Sequence, residues 1–292
     1  MRYLLHKNED NRTGVRRAGV VGWPVAHSRS PLLHGYWLQK YHIAGSYEPI
    51  PIDIENFNAE FRALADRGFV GCNVTVPHKE RALAACDAVD ANARRIGAVN
   101  TVVIDAEGRF FGSNSDGFGF MENLRLSAPD WRVEGGPALL IGAGGAARAI
   151  LTALCDAGAP EIRIVNRTRH NAEKLAADIG GPVQVYDWDR REQACADVNL
   201  VVNSSVLGME GKAALDLSLD LLPVAALVND IVYTPLQTAL LRAAAARGNR
   251  TVDGLGMLLH QARPGFAAWF GVEPEVDATL RARLLADIGA AG

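Results

Sequence analysis

Leu139-Leu140-Ile141 runs directly into Gly142-Ala143-Gly144-Gly145-Ala146-Ala147, and no other stretch narrows the fold of this chain so far. The spacing is G-x-G-x-x-A. It follows a buried-strand pattern and opens a helix, the context in which a glycine motif becomes informative. Gly142 allows the tight turn, Gly144 lets the backbone approach a pyrophosphate, and Ala147 permits close packing of helix on strand. The helix N-terminus then offers N–H groups and the positive end of its dipole to phosphates. The plain alternative is a glycine-rich turn without a ligand. The chain holds 29 glycines in 292 residues, above the usual share of ~7%, which suits tight turns and close backbone approach.

Around this motif, strand-like and helix-like runs alternate. Residues 17–22, 47–53, 69–76, 99–105 and 109–112 read as strands, and 31–41, 54–67, 77–85 and 87–96 as helices. Pro31 and Pro77 suit first-turn positions, where a missing N–H costs nothing. A second series follows Ser127-Ala128-Pro129-Asp130: short apolar runs at 138–141, 162–165, 183–186, 200–203 and 226–228, with amphipathic stretches such as 146–157 and 171–179 between them. That cadence predicts an α/β fold with largely parallel sheets, the second series being doubly wound. The tail reads as two helices, 257–270 and 274–288, with no strand between them. The expected organisation is therefore two α/β domains of roughly 100–200 residues each. Residues 1–115 with 255–292 form one and residues 116–254 the other, and two crossings between them suit a hinge.

Composition excludes several classes. With 30 Lys+Arg against 33 Asp+Glu, the net charge is −3; hydrophobic residues are 49% and charged residues 22%. These are globular values, unlike a disordered chain or one built to coat nucleic acid. No apolar run reaches the ~18 residues of a membrane span. Residues 1–10 lack an apolar signal-peptide core and read as a polar lead-in. Cys72, Cys86, Cys155 and Cys195 are widely spaced and form no zinc pattern, so they read as small buried hydrophobes in a reducing, cytoplasmic setting. His27, His34 and His260 also lack ligand spacing and read as packing or surface residues; no metal is expected. No long apolar surface stripe decides between monomer and homodimer.

The end of the strand after the glycine motif selects the dinucleotide. An Asp or Glu there would hold a ribose 2′-hydroxyl, but this chain has Val165-Asn166-Arg167-Thr168-Arg169. Arg167 suits a 2′-phosphate and adenine stacking, and Thr168 adds a hydrogen-bond donor. NADP is favoured over NAD. The alternative is that both arginines are solvated surface charges.

Three polar clusters lie at expected strand ends of the first domain: 22–31 (GWPVAHSRSP), 71–79 (GCNVTVPHK), and the pair 97–101 (GAVNT) and 112–117 (GSNSDG). Ligands of open α/β sheets bind at such ends. The hydroxyls, amides, amine and carboxylate in these clusters suit a small, polyhydroxylated, anionic molecule. With the later runs 203–209 (NSSVLGM), 230–236 (DIVYTPL) and 254–262 (GLGMLLHQA), the chain strongly resembles the shikimate dehydrogenase family from about Ala18 to Gly271. The resemblance implies an N-terminal substrate domain, a Rossmann-type NADP domain, and C-terminal helices that return to the first domain. It implies NADP-dependent interconversion of 3-dehydroshikimate and shikimate, a step towards aromatic amino acids.

The same resemblance assigns Ser28 and Ser30 to the substrate carboxylate, and Thr75, Asn100, Tyr233 and Gln261 to other substrate contacts. It assigns Gly142, Ala143, Gly144, Gly145, Ala146, Asn166, Arg167, Thr168, Ile231 and Gly254 to the cofactor. Lys79 and Asp116 match its catalytic pair. Chemistry supports that pair independently: hydride transfer to a ketone creates an alkoxide, which needs a proton and a nearby positive charge. An ammonium supplies both, and a carboxylate can hold it in place. Taken singly, Lys79 reads as a surface lysine and Asp116 as a helix N-cap.

Four positions depart from the family pattern. Gly35 stands where Asn is common, Ser115 replaces Thr, Ser205 lies in the usually Thr-rich Asn-x-Thr motif, and Asn171 stands where a basic residue is frequent. Arg169 is positioned to compensate for Asn171; the other outcome is a weaker NADP preference. A paralogue acting on quinate or aminoshikimate with NAD or both cofactors remains open, as does a ligand-binding regulator that has lost catalysis.

Overall fold

A computed structural model describes residues 15–290; the expected polar lead-in over residues 1–10 lies outside them. The chain divides into two compact units, one built from residues through Ser115 together with Gln261 onward, the other from Asp116–His260.

In the first unit, strands β1 (Arg16–Gly22), β2 (Gly45–Pro51), β3 (Phe69–Val74), β4 (Ala88–Val89), β5 (Thr101–Ile104) and β6 (Phe110–Ser113) form one sheet. Its order is β2-β1-β3-β5-β6-β4. β1 is parallel to β2 and β3, and β4 to β6, whereas β5 runs antiparallel to both β3 and β6, so this sheet is largely parallel with one reversed strand. The helices of this unit are α1 (Ser30–Lys40), α2 (Phe57–Arg62), α3 (Lys79–Ala85) and α4 (Ala91–Ile96). Phe57, Phe61, Phe69 and Phe110 are fully buried on one face with Ile52 and Val99, each ring contributing about 1.5–3 kcal/mol by leaving water. A second aromatic layer holds His34, Trp37, Tyr47, Phe266 and Trp269. The Trp269 indole N–H donates to the Val102 carbonyl at 2.9 Å.

Three expected helices are revised, the first of them, 54–67, being helical only over α2 (Phe57–Arg62). Residues 87–96 split into β4 and α4 because the Asp90 carboxylate caps α4, accepting from the Ala93 N–H at 2.6 Å. Asp87 is meanwhile held at the sheet, its carboxylate accepting from the Phe110 N–H at 2.7 Å. The tail helix begins later than 274, as α10 (Ala278–Ala290). Asp277 sets that start by accepting from the Leu280 N–H at 2.7 Å. The same carboxylate receives the Tyr36 hydroxyl at 2.7 Å and the Lys40 ammonium at 2.8 Å, which ties α10 to α1. Lys40 holds the Asp277 pKa down at about 2.

The second unit contains β7 (Ala138–Ile141), β8 (Ile162–Val165), β9 (Val183–Tyr186), β10 (Leu200–Asn203), β11 (Leu227–Asp230) and β12 (Arg250–Val252). Their order is β12-β11-β10-β7-β8-β9, parallel throughout. This is the doubly wound arrangement, and the order reverses between β7 and β10, the switch point at whose carboxyl strand ends ligands of such sheets bind. Helices α5 (Asp116–Ser127), α6 (Gly145–Asp156), α7 (Arg169–Ile179) and α8 (Ala239–Ala246) belong here, and α9 (Leu255–Phe270) carries the chain back to the first unit. Along β7 the side chains alternate between two cores: Ala138 and Leu140 join one, Leu139 and Ile141 the other. That period of two marks a strand covered on both faces. Helix α5 approaches α6 closely because Gly117 lacks a side chain; a Cβ there would lie 2.9 Å from the Ala149 carbonyl.

Gly35 faces solvent within α1, and a Cβ built there meets nothing within 4 Å. Gly35→Ala is therefore expected to stabilise the protein by up to about 1 kcal/mol. Urea denaturation checks it; a loss of stability would show that this backbone requires glycine.

Candidate functional site

In the first unit, the candidate residues sit where loops leave the carboxyl ends of β1 and β3. The loop after β1 turns on the Ser28 N–H, which donates to the Val25 carbonyl at 3.0 Å. The Ser30 N–H then donates to Ser28 Oγ at 3.3 Å, placing both serines at the start of α1. After β3, the Thr75 N–H donates to the Val21 carbonyl at 2.8 Å, and the His78 N–H to the Thr75 carbonyl at 2.9 Å. The His78 ring is buried, stacked on Phe57 at 4.5 Å, with Nε2 2.7 Å from the Ile52 carbonyl. Lys79 follows as the first residue of α3, and its carbonyl accepts from the Val99 N–H at 2.9 Å. The backbone beneath the half-buried Lys79 is thus fixed by a buried ring on one side and the β5 approach on the other.

Asn100 and Gln261 meet in the same unit: Asn100 Nδ2 donates to Gln261 Oε1 at 3.3 Å. Behind them lie buried polar residues that sequence motifs alone do not single out as functional. Asn73 donates to the Asn100 carbonyl at 3.1 Å and to Thr101 Oγ1 at 3.3 Å, and accepts from the Tyr47 hydroxyl at 2.7 Å. Asn73, Thr101 and Ser115 all lie inside the motifs quoted above. Their signal was present, but their partners become visible only once β3, β5 and β6 are paired. Tyr47 carried no signal.

In the second unit, Asp116 is the first residue of α5 and is buried. The turn after β7 has the expected form. Gly142 has φ +109° and lies against Ser204, so a side chain there would be both strained and crowded. Gly144 and Gly145 instead face open space, with nothing within 4 Å of a Cβ built on either. No unusual backbone angle calls for glycine at Gly144, whose φ is −88°, and the space beside it is open. No side chain caps α6, which leaves its first N–H groups to a ligand such as a pyrophosphate. Ala143 and Ala146 are half-buried beside the glycines, and Ala147 is fully buried under the helix.

At the end of β8, Asn166 Nδ2 donates to the Thr168 carbonyl at 2.9 Å, shaping the loop. Arg167 and Thr168 are exposed. Arg169, expected to make up for Asn171, is engaged elsewhere: it pairs with Glu173 at 2.7 Å and Asp187 at 2.5 Å. Arg167 is thus the arginine of this loop that a 2′-phosphate would meet without first breaking an ion pair.

The ends of β10 and β11 form a buried polar cluster. The Asp230 carboxylate accepts from Thr238 Oγ1 at 2.7 Å, Asn203 Nδ2 at 3.0 Å and the Val232 N–H at 3.0 Å. Burial pushes its pKa up, against the pull of these donors. The cluster fixes the turn carrying Ile231 and the half-buried Tyr233, and the Ile231 N–H donates to the Asn203 carbonyl at 3.0 Å. Gly254 abuts that turn so closely that a Cβ would overlap the Ile231 carbonyl. Asp230 and Asn203 are structural partners that sequence motifs alone do not assign.

Among the described residues, no group of three or more His, Cys, Asp or Glu gathers to hold a metal, and no helix is long and apolar enough to cross a membrane. His34 lies in the aromatic layer, stacked on Tyr47 at 3.9 Å. Burial drives its pKa down to about 3, against a smaller opposing pull from the Asn73 side chain.

These features define a class: a two-unit α/β protein with a Rossmann-type dinucleotide sheet and a second, polar-lined unit. Comparison with known proteins resolves the class further. Residues 20–102 match the family model for the shikimate dehydrogenase substrate binding domain. Residues 128–207 match that for shikimate / quinate 5-dehydrogenase, and 254–282 the shikimate 5′-dehydrogenase C-terminal domain. A shikimate dehydrogenase (NADP(+)) of Paramagnetospirillum magneticum is 56% identical over 271 residues, covering 93% of this chain and 98% of that one. The shikimate 5-dehydrogenase of Thermus thermophilus, solved with NADP(H) and shikimate, superposes with TM-score 0.82 at 38% identity, covering 94% and 100% of the two chains. A quinate dehydrogenase of Corynebacterium glutamicum, solved with NAD, gives 0.86 at 31% identity, covering 93% and 99%. The chain belongs to the shikimate dehydrogenase family.

The His34 environment makes a stability prediction. A histidine with a folded pKa of about 3 and an unfolded value near 6.5 favours the folded state only while neutral. Its contribution is complete above pH ~6.5 and is lost as pH falls towards about 3. Between pH 7 and pH 5 the wild type should lose about 2 kcal/mol more than His34→Phe. Denaturant titrations at the two pH values check this; equal losses would contradict it.

Proposed function

We propose that this protein is an NADP-dependent shikimate dehydrogenase that interconverts 3-dehydroshikimate and shikimate. The observation that carries the reading is the dinucleotide turn. Gly144 and Gly145 open onto space before an uncapped helix, and the next strand ends in an exposed Arg167 rather than a carboxylate. The family relationship supports the substrate, since relatives at 50% identity or more carry that activity in their names. The first unit takes the substrate and the second NADP, which supplies or accepts the hydride when bound.

Gly142 to Ala146 hold the pyrophosphate, Asn166, Arg167 and Thr168 the 2′-phosphate end, and Ile231 and Gly254 the far half of the dinucleotide. Ser28 and Ser30 bind the substrate carboxylate; Thr75, Asn100, Tyr233 and Gln261 bind its hydroxyls. The Lys79 ammonium donates a proton to the oxygen on which negative charge develops, and in the reverse direction takes it back. The Asp116 carboxylate hydrogen-bonds the reacting hydroxyl. Retention of both groups argues against a regulator that has lost catalysis. All four cysteines are free, as suits a cytoplasmic enzyme in a reducing compartment.

Two variants test the roles. Lys79→Ala should lower kcat by about 10²–10⁴-fold with a small change in the KM for shikimate. Unchanged turnover would remove Lys79 from the chemistry. Arg167→Ala should raise the KM for NADP by about tenfold or more and leave that for NAD unchanged. An unaltered NADP/NAD ratio would show that the 2′-phosphate is read elsewhere.

A further inference from the structure

The stretch that carries Ser28 from β1 to α1 has few anchors of its own. Over residues 23–29 only Val25 is buried, while Trp23, Pro24, Ala26 and His27 are exposed. Its backbone is tied to β3's loop at the first residue, where the Trp23 N–H donates to the Val76 carbonyl at 3.1 Å, and to itself where the Ser28 N–H meets Val25. Arg29, between the two serines, reaches out of the stretch. Its Nε lies 3.0 Å from the Asp287 carboxylate of α10, and its side chain is only 14% exposed. That nitrogen is buried and makes no hydrogen bond among the described residues, so the charge of Asp287 is what offsets its loss of water.

Helices α1 and α10 belong to the same compact unit and are joined at both ends. At the end of α1, Lys40 and Tyr36 meet Asp277, the residue that starts α10. Just ahead of α1, Arg29 meets Asp287 near the end of α10. The two carboxylates are separated by about 15 Å of helix at 1.5 Å per residue, so the helices run antiparallel with an ion pair at each end. Leu280, Leu284 and Ile288 are buried between those ends, and their four-residue spacing puts them on one packed face of α10. Arg29 is also the cap residue of α1, and no side chain caps that helix. A cation at a helix N-terminus is opposed by the helix dipole, and Asp287 cancels that charge.

We propose that Arg29 and Asp287 are positioning residues: their ion pair clamps the serine-bearing stretch to the C-terminal helix and so holds Ser28 and Ser30 for the substrate carboxylate. The inference deepens the dehydrogenase reading above and rests on it. Asp287 acts through Arg29, and Arg29 through the backbone it shares with the serine on either side. With the clamp released, the stretch must be ordered when the carboxylate binds, and that ordering is subtracted from affinity. The chemistry affected is recognition of an anionic carboxylate by hydroxyl donors; the dinucleotide turn lies in the other unit and has no part in it. Asp287 is 47% exposed, so salt screens the pair and its effect is moderate.

Asp287→Asn, Asp287→Glu and Arg29→Met test this, with KM for shikimate, KM for NADP, kcat and melting temperature read on each purified full-length protein. At low ionic strength Asp287→Asn should raise the KM for shikimate about threefold to tenfold, with kcat and the KM for NADP within about twofold of wild type. Asp287→Glu, which keeps the charge, should return the KM for shikimate to within about twofold of wild type. Arg29→Met should match Asp287→Asn; because Asp287 is half exposed, Asp287→Asn carries the test should Arg29→Met fail to fold. The ratio of the Asp287→Asn KM to the wild-type KM should shrink towards one as NaCl rises to about 1 M, where the pair is screened. An unchanged KM for shikimate in Asp287→Asn would overturn the proposal, whatever the melting temperature does. So would a parallel rise in both KM values, which marks general loosening, failure of Asp287→Glu to rescue, or a ratio that salt leaves unmoved. Absence of shikimate turnover in the wild type would instead overturn the dehydrogenase reading itself.

Discussion

The buried amide of an asparagine at a strand end is the interaction on which each unit of this protein depends. Parallel strands stop with their backbone groups aimed at loops, and a loop buried there must satisfy every polar atom it brings or lose about 1–3 kcal/mol for each one stranded. In the first unit, Asn100 immediately before β5 gathers the Ser115 N–H, the Thr101 hydroxyl and Gln261. In the second, Asn203 at the end of β10 does the equivalent. Its Oδ1 accepts from the Ser205 N–H at 3.1 Å, and its Nδ2 reaches the Leu207 carbonyl at 2.9 Å and Asp230. Segments distant in sequence are thereby given one arrangement, and the candidate ligand-binding residues ride on those segments.

Electrostatics is distributed unevenly around the dinucleotide turn. Beside that turn the start of helix α6 lacks a side-chain cap and Arg167 is exposed, while Arg169 spends its charge on Glu173 and Asp187. At the other end the buried Asp230 is satisfied by a hydroxyl, an amide and a backbone N–H rather than by a cation. Such a carboxylate fixes geometry through hydrogen bonds, and its raised pKa reflects burial. The cysteines follow the same rule of burial: Cys86 and Cys195 are both pushed up to about 12, which leaves them poor nucleophiles.

The doubly wound sheet was the most legible part of the sequence. Strands β7, β8, β9 and β10 occupy the apolar runs expected of them, because strands of a covered parallel sheet read as short continuous hydrophobic segments. β12 (Arg250–Val252) carried no such run; it is an edge strand with an exposed arginine. Helix α5 (Asp116–Ser127) also escaped notice, since Gly117 and Gly119 lower its helix propensity and only close packing on α6 explains the first of them. In the first unit, the antiparallel pairing of β5 was hidden because a short alternating strand reads alike in either direction. The glycine turn and the polar clusters were legible because their chemistry is local. The Tyr47–Asn73–Thr101 chain was not, because its members are joined by sheet pairing rather than by spacing along the chain.

The central claim is that this fold reduces 3-dehydroshikimate with NADPH and reverses the reaction with NADP. The most direct measurement is the initial rate of nicotinamide reduction, followed by absorbance, for shikimate and for quinate, each with NADP and with NAD. The account predicts fast turnover for shikimate with NADP and far slower rates for the other three combinations. Comparable or faster turnover of quinate, or equal use of NAD, would contradict it.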